Sequence, residues 1–205
     1  MKLTSHVIKA AVAAYWRYTR QCSIVAFECD TQLRGGELAD VLVVNDDRRL
    51  IIIEVKVSLG DFKRDRRKMY HEQLRLTDGK QESPKNVFDR SFGTKIRPVE
   101  YFYFAVPKDL ANKVSLLCDQ LFPYAGVLGC SGVRDNDTYV YRKPKRFECC
   151  QLNNEQIEDI TRAQTATLCR LARKVAEEHQ IRKELEARLL ECRPTIRSDE
   201  NEPDS

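Results

Sequence analysis

The feature that most constrains this chain is a pair of apolar, β-branched runs with charged residues set inside them. Ala39–Val44 reads ADVLVV, Leu50–Val57 reads LIIIEVKV, and the polar stretch Asn45-Asp46-Asp47-Arg48-Arg49 separates them. Runs of this kind around a short polar break predict the two strands of a hairpin. Residues two apart in a strand share a face, so Glu54 and Lys56 project together, and closing the hairpin brings Asp40 beside Glu54. Two carboxylates and one ammonium then gather at one end of a two-stranded unit.

Charges inside apolar strands are costly unless they are paired or bound to metal. Neighbouring carboxylates repel each other, and a hard divalent cation removes the repulsion. Mg²⁺, with Mn²⁺ as a substitute, retains waters; it supplies a hydroxide nucleophile and neutralises a phosphodiester. A lysine beside it orients that nucleophile or stabilises the transition state. The same three residues also describe a plain salt bridge of Lys56 with Asp40 or Glu54 on a half-exposed sheet, so the pattern alone leaves both readings open.

Periodicity supplies the rest of the outline. Residues 5–20 read as an amphipathic helix with Ile8, Ala11, Val12, Tyr15 and Tyr18 in register, capped by Thr4 or Ser5. Residues 23–29 read as a strand and 31–36 as a glycine-containing turn. A helix over 59–76 follows the hairpin, with Phe62, Met69, Gln73 and Leu76 on one face. Residues 77–98 form a polar loop of a length that is usually functional or disordered. Strands are expected over 100–106, 125–130 and 138–142, and a helix over 108–119. From Asn154 a charged helix carries Leu168, Leu171, Val175, Ile181, Leu185 and Leu189 in a stripe suited to packing on the domain or on a partner. The order predicts an α/β or α+β fold, a central mixed sheet flanked by helices with a long C-terminal helix. The expected divisions are 1–150 for the core domain, 151–192 for the helical appendage and 193–205 for a disordered acidic tail.

The apolar runs are too short to span a bilayer, and the first residues lack the apolar core of a signal peptide; a cytoplasmic protein with no membrane partner is expected. Eight cysteines without a C-x-x-C pair, and three scattered histidines, argue for reduced, mostly buried thiols rather than disulfides or structural zinc. Net charge is +4, yet residues 57–97 hold eleven Lys/Arg against six acids, a zone suited to a polyanion. Lys63, Arg64, Arg66, Arg67 and Lys68 follow the Glu54/Lys56 strand directly and are placed to meet phosphates. Arg142, Lys143, Lys145 and Arg146 lie among aromatic residues, which suits stacking with phosphate contact and equally suits a charged edge strand. Ser58 and Asp61 read first as helix caps; for these and Asp65 the second reading is contact with a metal-bound water.

Ala39-Asp40, Glu54-Val55-Lys56, Ser58 and Asp61-Phe62-x-x-Asp65 together resemble the PD-(D/E)XK nuclease superfamily, and more narrowly the MmcB-like DNA-repair endonucleases. The likeness continues at Tyr101–Pro107, Phe122-Pro123 and Ala125-Gly126, over about residues 7–145. It implies a restriction-endonuclease-like core in residues 1–150. It further implies a Mg²⁺-dependent endonuclease or exonuclease acting on DNA in repair, recombination or mobile-element biology. Asp40, Glu54 and the Val55 carbonyl would be the metal ligands and Lys56 the catalytic lysine. Glu28 matches an upstream acid, though it reads equally as an exposed strand-end glutamate, and Gln73 occupies the place of a polar helper. The alternative is an inactive nucleic-acid-binding or assembly module on the same fold. The C-terminal helix is the expected surface for a homodimer or a protein partner. A nucleoid-associated or viral setting fits the same reading.

Overall fold

The computed structural model describes residues 3–30, 38–67, 71 and 99–191. The turn expected over 31–36, the loop over 77–98, the tail from 193, and Lys68, Met69, Gln73 and Leu76 lie outside the described residues.

Helix α1 (Ser5–Ala14) starts where the Thr4 hydroxyl accepts the Val7 N–H, and its Ile8, Ala11 and Val12 are fully buried. It then widens into a π-helical turn, Tyr15–Thr19, that buries Trp16, so the regular helix is shorter than its apolar spacing predicts. Strands β1 (Ile24–Asp30), β2 (Leu38–Val44) and β3 (Leu50–Val55) form an antiparallel meander. The β2–β3 turn is tied by the Asn45 side chain, which accepts the Arg49 N–H at 2.9 Å, while Arg48 takes a left-handed φ of 59°. Helix α2 (Leu59–Arg64) is capped by the Ser58 hydroxyl on the Asp61 N–H at 3.1 Å, as its sequence predicts, and tightens into a 3₁₀ turn at Asp65–Arg67. Strand β4 (Val99–Pro107) runs parallel to β3; α3 (Lys108–Leu121) crosses to β5 (Gly126–Cys130), parallel to β4; β6 (Thr138–Arg142) returns antiparallel as the edge.

The sheet order is therefore β1-β2-β3-β4-β5-β6, a mixed α+β sheet flanked by helices, which is the fold class expected. Every residue of central β3 is buried, because both faces of the sheet are covered. Leu50 and Ile52 pack with Phe62, Phe102 and Phe104 and with α3 residues Ala111, Val114 and Cys118; Ile51, Ile53 and Val55 pack with α1 and Trp16. Burying this β-branched alternation contributes about 25 cal/mol per Å² of apolar surface, and that fixes the register at the end of the hairpin.

Helix α4 spans Asn154–Glu191, and the chain divides into two compact units between Thr167 and Leu168. Ile160 is buried, Ile157 and Ala163 pack partly against the core, and the Gln164 amide donates to the Val25 carbonyl at 3.0 Å. In the second unit the apolar stripe at Leu168, Leu171, Val175, Ile181, Leu185 and Leu189 is exposed. Among the described residues no helix is long and apolar enough to cross a membrane. The described cysteines are thiols outside any disulfide, and burial pushes the Cys118 thiol up to about 12, which leaves it inert.

Candidate active site

The site forms where β2 and β3 part. Their ladder ends at Val41–Ile53, and Asp40, the next residue out, takes over the pairing with its side chain: Oδ2 accepts the Val55 N–H at 2.8 Å. On the other side of β3, the Lys56 N–H donates to the Ala105 carbonyl of β4 at 2.9 Å. The end of β3 is thus held from both neighbours, with Glu54 and Lys56 at only 1% and 5% exposure.

The Lys56 ammonium lies between two carboxylates, 2.5 Å from Asp65 Oδ1 and 3.3 Å from Glu54 Oε2. The other Asp65 oxygen, Oδ2, meets His71 Nε2 at 2.6 Å, and His71 Nδ1 meets the Tyr124 hydroxyl at 2.5 Å. Burial by itself would raise the Asp65 pKa; the His71 hydrogen bond and the Lys56 charge outweigh it and hold the carboxyl well below the usual range.

A second lysine serves the other candidate ligand. Lys9 of α1 places Nζ 2.9 Å from Asp40 Oδ1 and 3.0 Å from Glu28 Oε1. Burial would lower the Lys9 pKa, and the two carboxylates more than offset it, so the net shift is upward. Glu28 itself has a left-handed φ of 45°, which few non-glycine residues adopt. The strand alternation breaks there: Cys29 joins the core layer of Ala26, as does Ala39 opposite it.

A cleft of about 370 Å³ opens over these groups, lined by Asp40, Glu54, Val55, Lys56, Asp61, Arg64 and Asp65. A larger cavity of about 640 Å³ lies on the α1 side of the sheet, among Trp16, Tyr101, Tyr103 and Lys143. The smaller cleft is the better candidate for chemistry, because there two strand carboxylates and a buried lysine converge. Among the described residues no group of three or more His, Cys, Asp or Glu forms a ready metal cage. The candidate donors are instead the Asp40 and Glu54 carboxylates on the cleft wall, which suits Mg²⁺, an ion commonly held by one or two carboxylates with the rest of its shell water.

Asp40, Glu54, Val55 and Lys56 thus come together on one cleft. Glu28 is 42% exposed, and Lys9 links it to Asp40. Arg64 lines the cleft, and Lys63, Arg66 and Arg67 are exposed beside it. Arg142 binds the Ser115 and Pro123 carbonyls and Asp119, and Arg146 holds the buried Glu100 at 2.8 Å, so both have structural duties. Sequence reasoning misses Lys9, His71 and Tyr124 and gives Asp65 no ion pair. A lysine on an amphipathic helix and a lone histidine carry no local signal of such roles.

No family model matches the chain, and no curated protein matches it in sequence. Among solved structures it is similar to SPO1766, a protein of unknown function from Silicibacter pomeroyi, at 14% identity and a TM-score of 0.51, over 87% of this chain and 96% of that one. That likeness concerns the fold alone.

Proposed function

We propose that the protein is a metal-dependent nuclease of the PD-(D/E)XK type that hydrolyses phosphodiester bonds in DNA, in repair, recombination or mobile-element biology. The observation that carries the reading is the convergence of Asp40, Glu54 and buried Lys56 on one cleft, with Arg64 on its wall. Asp40, Glu54 and the Val55 carbonyl would hold Mg²⁺ or Mn²⁺, which when bound activates water and neutralises phosphate charge. Lys56 presents its ammonium to the reacting phosphate, where it stabilises the charge that develops on the non-bridging oxygens. Lys63, Arg64, Arg66 and Arg67 would meet neighbouring phosphates, which position a duplex or single strand without reading its sequence. Glu28 would act through Lys9, and Gln73 remains the proposed polar helper.

One observation favours a second reading, a non-catalytic nucleic-acid-binding or assembly module. Both Asp40 oxygens already have partners, Lys9 and the Val55 N–H. The test is incubation of the protein with labelled single-stranded, duplex and branched DNA in Mg²⁺, Mn²⁺ or EDTA, beside Lys56→Ala and Asp40→Asn. Metal-dependent cleavage lost in both variants supports the nuclease; binding without cleavage in every condition selects the module.

The exposed stripe of α4 is proposed as the surface for a homodimer or protein partner, in a cytoplasmic setting. A change in sedimentation on Leu171→Glu with Leu185→Glu is the check.

A further inference from the structure

We infer that Asp65, His71 and Tyr124 are a positioning device for Lys56, which holds its ammonium closer to Asp65 than to Glu54 and so weakens its competition with a divalent cation for the Glu54 carboxylate. This rests on the metal-nuclease reading above. Lys56 is shared unequally, with Nζ 2.5 Å from Asp65 and 3.3 Å from Glu54. Without Asp65 held in place, Glu54 would be the nearest carboxylate left to it, and the ammonium would compete with the cation for that ligand.

The three side chains form a continuous hydrogen-bonded relay. An ionised Asp65 only accepts, so His71 Nε2 donates to Oδ2. Nδ1 meets the Tyr124 hydroxyl, so both ring nitrogens are engaged. The histidine ring has no freedom to turn away. It is fully buried, with ring centroids 5.3 Å from Phe102 and 4.6 Å from Phe122. Tyr124 is also fully buried, just ahead of β5. Of the three, only Asp65 lines the cleft, so His71 and Tyr124 act through it. Both Asp65 oxygens are engaged, which fixes the rotation of the carboxylate and hence the seat of Nζ. Outer partners of this kind typically change metal affinity or activity by about tenfold to a hundredfold when removed.

The test measures Mn²⁺ binding to the full chain without DNA, by electron paramagnetic resonance, together with steady-state cleavage. The variants are His71→Gln and Tyr124→Phe, each alone and combined with Lys56→Ala. Tyr124→Phe leaves the charge at the cleft unchanged. Tyr124→Phe keeps the ring and loses one oxygen, which guards against a variant that fails to fold; thermal unfolding verifies it. The expected result is Mn²⁺ binding weakened about tenfold by His71→Gln and less by Tyr124→Phe. The catalytic rate constant falls with KM for DNA unchanged, and neither variant has a further effect once Lys56 is alanine. Wild-type Mn²⁺ affinity in both folded variants overturns the inference, as does an equal loss with and without Lys56. In either case cleavage by the wild-type protein leaves the nuclease reading standing. A wild-type protein that neither binds Mn²⁺ nor cleaves overturns both.

Discussion

Asp40 completes the β2–β3 hairpin with its side chain: its Oδ2 accepts the Val55 N–H at 2.8 Å where the main-chain ladder has already ended. One carboxylate therefore has a structural duty and a proposed catalytic one, and the two can be separated by substitution.

Asp40→Asn retains an oxygen to accept the Val55 N–H and loses the charge. It is expected to abolish cleavage while stability changes by no more than about 1 kcal/mol. Asp40→Ala removes the acceptor as well and should cost about 1 to 3 kcal/mol. Urea unfolding of the two variants measures the difference; equal midpoints would show that this hydrogen bond contributes nothing.

Asp65 makes stability depend on pH in a defined direction. Its folded pKa lies below its unfolded value. In the window between them the unfolded chain binds more protons, so stability falls as pH falls. The contribution is fully present above about pH 4, the ordinary aspartate range, and drains away below it. Urea midpoints at pH 7, 5 and 3.5 should drop more steeply for the wild-type protein than for Asp65→Asn. A parallel drop would remove Asp65 from the account.

Lys9 sits on Asp40, where a cation would compete with it. Lys9→Met keeps much of the apolar stem and removes the charge. It should tighten Mn²⁺ binding by roughly fivefold, the equivalent of about 1 kcal/mol of Coulomb repulsion in a largely solvated setting. Calorimetric titration reads it directly, and weaker binding in the variant would mean that Lys9 orients Asp40 rather than competing for it.

Arg64 and Arg146 should fail in different ways. Arg64 is 74% exposed on the cleft wall with a loose 3.6 Å pair to Asp61. Arg64→Ala should weaken DNA binding and lower the slope against log salt by about one, with unfolding unchanged. Arg146 braces buried Glu100 alongside Arg49 and Asn45. Arg146→Ala should cost about 1 kcal/mol of stability, given the exposure of the arginine, with little effect on the salt slope. The reverse assignment in filter-binding and unfolding curves would move the nucleic-acid surface to the segment that follows β6.

Much of this was legible because it is local. The alternation in Ala39–Val44 and Leu50–Val55 determines two buried strands, and strand geometry alone puts Glu54 and Lys56 on one face. The Ser58 cap and the start of α4 follow from side-chain oxygens and turn chemistry in neighbouring residues. Local pattern overran at the ends: α1 passes into a π-helical turn at Tyr15, where burial of Trp16 against Tyr103 outweighs regular helix continuation.

What only the tertiary structure decided is which charge meets which. Lys9 reaches Asp40 from α1, His71 reaches Asp65 from beyond α2, and Tyr124 arrives with the lead-in to β5. Two of these contacts, Lys9–Asp40 and His71–Tyr124, join segments far apart in the chain, and all three form because two apolar layers close on the sheet and bring its charged end into one cleft. Periodicity records which face a residue turns to the core. It carries no record of the partner that waits there, since an ion pair needs only opposite charges within reach, and the packing of the whole domain sets that reach.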